Sequence, residues 1–425
     1  MTTADGRPIP WDIYEEHLDE AGWLWGAWER AMDSAIHTLG DVIDGPEERL
    51  AAHLDGLVLG GRRVAERLLL PALEGDDANL SAAAAWALVQ GEDADHQDAV
   101  VDALVAAPPP ARLAMARALV LSPRIDISRV ARLWHVGPPA LRPMILGIFG
   151  RREPDWVRAQ VEAAFRDGEP TLVAAAWRAV RTVPDPQALS YLDESLRSAE
   201  PAVRAEALIT GVALGSRAAW EACREAAMAA DDGCRVPLAL LAVSPHAQDR
   251  GRVRARVDEP SIRAHALWAL GFAGEVEDGD RLVEMIGDPQ AAPVAGEALS
   301  TMTGIAIDGP FVVRAETRGP QGDEVGDDDP PPVVRQEDHL PVPDAAKVTA
   351  WWRSQRRQFR PGVRHLGGQA RTPTGVLAAL STAATWRRQI LWLELVGLKR
   401  APAALDLRDW ARQQQSALAE GVRRA

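Results

Sequence analysis

Three stretches decide the reading of this chain: Pro170-TLVAAAW-Arg178, Pro201-AVRAEAL-Ile209 and Pro260-SIRAHAL-Trp268. Each opens on a proline, whose fixed φ suits the first turn of a helix and whose missing N–H is one that turn would leave unpaired anyway. Small or apolar residues then recur at helical spacing, as Val203, Ala207, Thr210 and Leu214 in one copy and Ile262, Ala266, Ala269 and Ala273 in another. That period marks one buried helical face. Weaker copies are Asn79-LSAAAAW, Pro110-ARLAMAR, Pro139-ALRPMIL, Asp232-GCRVPLA and Ala292-PVAGEAL. The copies begin at 79, 110, 139, 170, 201, 232, 260 and 292, a near-constant period of about 30 residues.

A second helical stretch with a polar face lies between copies, such as Pro186–Leu196 or Arg281–Ile286. One helix pair cannot bury its own apolar stripe, whereas stacked pairs bury a continuous core. The expected fold is therefore all-α: an α-solenoid of helix pairs with a small C-terminal helical domain. Composition agrees, because Ala, Leu and Val dominate the apolar residues while Phe and Tyr number only 5 and 2. Such a core suits closely packed helices better than sheets.

Outward from the repeats, four segments are expected. Residues 1–45 form a helical cap, centred on an amphipathic Ile13–Met32 that carries Trp23, Trp25 and Trp28 and shields the end of the stack. Residues 46–307 form the repeat solenoid. Residues 308–345 hold Pro310, Pro320, Pro330–Pro332, Pro341 and Pro343 around the acids Asp323, Glu324 and Asp327–Asp329, and read as an extended acidic linker. A calcium loop is the sharper reading of these acids, but the stretch fails the EF-hand spacing and lacks the Glu at position 12, so a solvated linker is expected. Residues 346–425 form a basic helical domain. At its boundary with the linker Asp344 caps a helix bearing Trp351, Trp352 and Phe359, and within it Thr372-Pro373 starts a second. Trp386, Ile390 and Leu393 mark a third that stops at Gly397, and Asp406 starts a last helix with Leu407, Trp410 and Leu418.

Net charge is −14 but unevenly spread: residues 346–425 carry 15 basic side chains against four acidic ones, so the rest of the chain is strongly acidic. The polar N-terminal stretch Met1–Trp11 lacks a secretory pattern, and no apolar run approaches the ~18–20 residues of a membrane span. A cytoplasmic location with no membrane contact is expected. The two cysteines, Cys223 and Cys234, fall in helical repeat sequence and read as buried free thiols.

The motifs GxxxxGK[ST], GxGxxG, HExxH, GxSxG and CxxC do not occur, and no His is followed directly by Glu. No catalytic residue, metal site or cofactor is therefore expected, and the chain reads as no enzyme. Arg353, Arg356, Arg357 and Arg360 lie at i, i+3, i+4 and i+7 beside Trp351 and Trp352, a basic stripe with aromatics. With Arg364, His365, Gln369 and Arg371 in the Gly-rich loop that follows, they make the expected partner-binding patch, since Trp and Arg commonly anchor interfaces. Nucleic acid is the alternative partner, although the acidic body of the chain would repel a phosphate backbone. A lyase acting on a protein-bound pigment or modification ranks last, because no reactive site accompanies the repeats.

The repeats resemble short HEAT-like repeats of the phycobilisome-lyase type, as in Pro201-AVRAEAL and Pro260-SIRAHALWALG. The segments Leu340-PVPDAAKVTAWW, Phe359-RPGVRHLGGQARTPTGVLAAL and Trp386-RRQILWLEL are similar to a bacterial family whose members are often encoded near type VI secretion spike genes. The likeness runs from about Trp11 to Leu418 and excludes an insertion at 320–335. It implies no catalytic residues. It implies an accessory role in type VI secretion, as an adaptor or chaperone whose partner is an effector or a spike component.

Overall fold

The computed structural model describes residues 9–91, 93–150, 152–313, 336–402 and 404–424. Among them the protein is all-helical, apart from one antiparallel hairpin of His365–Leu366 with Gln369–Ala370 and two isolated bridges. The chain divides into two compact units. One comprises Met1–Asp33, Leu39–Ala219 and Asp406–Ser416; the other comprises Ser34–Thr38, Trp220–Leu405 and Ala417–Ala425.

In the first unit the helices Ala78–Gln90, Pro109–Leu121, Arg142–Phe149, Pro170–Thr182 and Pro201–Ala213 pack each against the next in that series. These are the sequence copies, and they are apolar nearly all round: in the first, Ala82–Ala85, Ala87, Leu88 and Val89 are all buried. Alanine at these positions lets neighbouring helices approach closely. The intervening helices Ala94–Ala106, Ile127–Val136 and Pro154–Asp167 bury one face only; in Ile127–Val136 just Val130 and Trp134 are buried. The second unit repeats the scheme with Arg235–Val243, Arg263–Ala273 and Ala292–Thr303 as the mutually packed series. Ala247–Ala255 and Val276–Met285 are its intervening helices.

An arginine recurring early in the copies has a common job. Arg112 donates to the carbonyls of Val105 (3.2 Å) and Ala107 (2.8 Å), and Arg204 to those of Ser198 (2.6 Å) and Ala199 (2.7 Å). Arg142 and Arg263 reach the carbonyls of Trp134 and Val257, each at 3.3 Å. Each guanidinium satisfies carbonyls left open where the preceding helix ends.

Several local expectations shift. Pro170 and Pro201 begin their helices as read, Pro170 behind Glu169, which accepts from the amides of Thr171 and Leu172. Pro260, by contrast, lies in a turn and its helix begins at Arg263, because a 3₁₀ turn at Arg256–Asp258 extends the preceding helix. The stretch Pro186–Leu196 is a 3₁₀ turn, Pro186–Tyr191, continued by the short helix Leu192–Leu196. The first helix spans Trp11–Ala31 and buries Trp25 and Trp28, while Trp23 is 60% exposed.

The C-terminal 80 residues do not fall into one compact unit: 406–416 belong with the first unit and the flanking stretches with the second. Asp344 caps Ala345–Gln355 through the Lys347 amide, and Thr372 caps Pro373–Thr382 through the Gly375 amide. The helix with Ile390 and Leu393 spans Arg388–Gly397, preceded by a 3₁₀ turn that carries Trp386. The last helix starts at Ala411, not at Asp406, which leaves Trp410 just ahead of it. The ends of the expected linker are ordered: Val312 bridges Pro343, and the Asp344 amide donates to the Phe311 carbonyl at 2.7 Å. The acids Asp323, Glu324 and Asp327–Asp329 lie outside the described residues.

Both cysteines are free and buried, and burial pushes the Cys223 thiol up to about 12. No helix among the described residues is long and apolar enough to cross a membrane.

Candidate functional site

The expected patch is built on the helix Ala345–Gln355 and the loop that leads to the hairpin, all in the second unit. Trp352 turns inward. Its indole lies against Gly279, where a Cβ would stand 2.5 Å from the ring, and its Nε1 donates to Asp280 at 2.9 Å. Phe359 packs on it at 5.1 Å between centroids. Arg356 donates from Nε and Nη2 to the two oxygens of Asp280, both at 2.6 Å. Hydrogen bonding from Arg356 holds the Asp280 carboxyl below its ordinary value.

The Gly-rich loop is also occupied internally. Arg364 donates to four main-chain carbonyls: Ala273 (3.0 Å), Phe272 (3.2 Å), Ala242 (3.0 Å) and Val243 (3.4 Å). These belong to the C-terminal ends of Arg263–Ala273 and Arg235–Val243, where unpaired carbonyls concentrate negative potential. Burial lowers the Arg364 guanidinium to about 10, still fully protonated at neutral pH. The His365 amide donates to the Gly274 carbonyl at 2.8 Å, the Gly367 amide to Thr301 at 2.9 Å and the Gly368 amide to Met302 at 3.0 Å. One short loop therefore closes the ends of three stacked helices. The glycines allow this approach: Gly368, at φ +79°, would place a Cβ 2.6 Å from the Thr303 carbonyl oxygen. Arg371 donates to the Phe272 carbonyl at 3.1 Å and forms a doubly hydrogen-bonded pair with Glu394.

These ties correct the expected patch. Trp352, Arg356, Arg364, His365 and Arg371 spend their polar groups or their surface inside the unit, because the loop is drawn onto helix ends that need donors. Burial also lowers the basicity of the His365 ring. Arg353, Arg357, Arg360 and Gln369 are exposed and Trp351 is half-buried, its ring 6.5 Å from Trp352. No carboxylate among the described residues pairs with Arg353, Arg357 or Arg360. The expected single helical stripe is broken, since the α-helix ends at Gln355, Arg356–Gln358 form a 3₁₀ turn and Arg360 lies beyond it; Arg353, Arg357, Arg360 and Gln369 keep their exposed surface.

Two clusters carry no motif that sequence reading could detect. In the second unit Glu297, itself buried, accepts from Trp386 Nε1 at 2.9 Å and pairs with Arg387, while Arg235 lies over the Trp268 and Trp386 rings at 4.7 and 5.5 Å. In the first unit Trp410 sits 4.8 Å from Trp28, 6.0 Å from Trp25 and 6.1 Å from Trp86. Glu47 ties this cluster together. It accepts from Trp28 Nε1 at 2.8 Å and from the amides of Ala411 and Arg412 at 2.6 and 2.9 Å. Pro46, which cannot donate a helical hydrogen bond, lies in the widened turn Ile43–Glu47 just before it. Only tertiary packing brings these residues together; the one local signal was the density of Trp itself.

Among the described residues no group of three or more His, Cys, Asp or Glu side chains is arranged to hold a metal ion. No protein-family model matches the chain, and no curated protein matches it.

Proposed function

We propose that this chain is a non-enzymatic scaffold that holds a protein partner presenting an acidic segment, with Arg353, Arg357, Arg360 and Trp351 as the anchoring contacts. The observation that carries this reading is the contrast within one stretch of chain. Arg364 and Arg371 are held inside the unit by helix-end carbonyls and Glu394, and Arg356, though exposed, is paired with Asp280, whereas Arg353, Arg357 and Arg360 stand exposed without an acidic partner among the described residues. Exposed arginines following a partly buried tryptophan in the chain are the residue types that commonly anchor interfaces. The resemblance to proteins encoded near type VI secretion genes supports a narrower role, an adaptor or chaperone that loads an effector or spike component in the cytoplasm.

The same trio would also meet a phosphate backbone, and one experiment separates the two. The full chain and an R353Q/R357Q/R360Q variant are used as baits in extracts of the native host, with and without nuclease. In parallel, both are titrated against a labelled 20-mer single strand and duplex at 50 and 200 mM salt. Capture of a specific acidic protein by the wild type alone, insensitive to nuclease, supports the scaffold reading. Binding of the 20-mers that falls steeply with salt and vanishes in the variant supports nucleic acid instead. Equal capture by wild type and variant removes the trio from the function.

A further inference from the structure

His17, on the helix Trp11–Ala31, and His53, on the helix Glu48–Leu59, are 36 residues apart in sequence and bring their Nδ1 atoms to 3.0 Å. Their rings stand nearly perpendicular, at 77°, with centroids 5.0 Å apart. Both belong to the first unit and both are only half-buried. The His17 ring is held in place from below. It lies against Gly56, where a Cβ would be 2.9 Å from Nε2, and Tyr14 flanks it at 6.4 Å. A side chain larger than hydrogen at position 56 would push the ring away.

Two imidazoles cannot approach this closely when both are protonated, because each Nδ1 would then carry a proton pointed at the other. At least one Nδ1 offers a lone pair, and burial together with the neighbouring His17 lowers the basicity of His53. A neutral imidazole nitrogen is the commonest protein ligand for a transition metal. The separation is informative. At a metal–nitrogen distance of about 2.05 Å, ligands at a right angle lie about 2.9 Å apart and tetrahedral ligands about 3.3 Å apart. The observed 3.0 Å is the length of an Nδ1–H···Nδ1 hydrogen bond between neutral rings, and it also matches adjacent positions of an octahedral or tetragonal ion, which would take the place of that proton. The surroundings favour a cation: Asp12, Glu15, Glu16, Asp19 and Glu20 share the His17 helix, and Glu16 and Glu20 act electrostatically on His53. Opposing them, Arg49 reaches Glu20 at 3.4 Å and also acts electrostatically on His53, and Arg67 reaches Glu15 at 3.8 Å.

We infer that His17 and His53 form a two-histidine chelate for a divalent transition-metal ion of the Ni²⁺ or Cu²⁺ class, with water in the remaining positions. The ion would cross-link the first helix to the helix Glu48–Leu59. Two protein ligands make a solvent-accessible, exchangeable site rather than a closed structural one.

The test uses the full chain without an affinity tag. NiCl₂ and CuCl₂ are titrated calorimetrically into the wild type, H17Q, H53Q and the control H339Q, and thermal unfolding is followed with and without each ion. The expected result is one ion per chain and a metal-dependent rise in Tm for wild type and H339Q. Each of H17Q and H53Q should lose binding about 100-fold or more, at least the upper end of what second-shell changes cost. Circular dichroism in the absence of metal shows whether either variant has failed to fold, in which case G56V, which displaces the His17 ring and keeps both histidines, takes its place. Absence of one-to-one binding by the wild type overturns the proposal. So does loss of binding in only one of the two histidine variants, or an equal loss in H339Q.

Discussion

Arg364 Nη2 donates to the carbonyl of Phe272 at 3.2 Å, and the same guanidinium also holds carbonyls of a second helix end, at Ala242 and Val243. One side chain thus satisfies acceptors on two stacked helices of the second unit. Replacing it with methionine keeps much of the volume but leaves buried carbonyls without donors. The expected cost is about 2–4 kcal/mol in urea unfolding. Lysine should recover little of it, because a single ammonium cannot reproduce the planar fork. Since burial leaves this group at about 10, its protonation does not change between pH 6 and 8, and the R364M deficit should be flat across that range.

Trp410 provides a second test. Its ring is the common neighbour of Trp25, Trp28 and Trp86, and its Nε1 donates to the Leu121 carbonyl at 3.3 Å. Truncation to alanine removes the centre of the cluster and should destabilise the first unit by about 3–5 kcal/mol. A shift in tryptophan fluorescence should accompany the change in the unfolding midpoint. W410F, which keeps an aromatic ring, should cost clearly less.

Asp278 yields a pH dependence with a definite sign. It is fully buried, accepts from Arg254 at 2.7 Å and from the Glu275 amide at 2.9 Å, and burial pushes its carboxyl up to about 6. A folded-state value above the unfolded 3.8 means the folded protein takes up the proton more readily. Its contribution to stability is therefore full below about pH 4 and lost as pH rises through about 6. Neighbouring Glu275 is shifted down by its arginine partners and runs the opposite way, its contribution being lost on acidification. Subtracting the D278N profile from the wild-type profile isolates Asp278. The difference should fall by roughly 2–3 kcal/mol between pH 4 and 7 and be flat above that. A difference that rises over this window would contradict the burial-dominated shift.

Cys223 and Cys234 should be silent toward a thiol reagent in the native state. Burial raises both thiols, so little of the reactive thiolate exists at pH 8. Both should titrate with Ellman's reagent only after unfolding in guanidinium, at a rate that follows global opening. Rapid labelling of either cysteine in the folded protein would show that its helix opens locally.

The sequence by itself determined what is local. The near-constant spacing of the copies and the prolines at 170 and 201 are written in short stretches, as are the alanine-rich faces and the caps Asp344 and Thr372. They read correctly because helix starts and buried faces depend on neighbours within a few residues. Tertiary structure alone decided which polar groups are consumed. In sequence Arg353 and Arg356 look alike, yet only Arg356 finds Asp280, and Arg364 looks like a surface arginine until three helix ends are seen to converge on its loop. It likewise decided that Trp410 joins the first unit while Trp386 joins the second, and that His17 meets His53. Those outcomes turn on the spatial arrangement of residues far apart in the chain, and a side chain's partner is set by where the backbone delivers it, not by its own type or its neighbours in sequence.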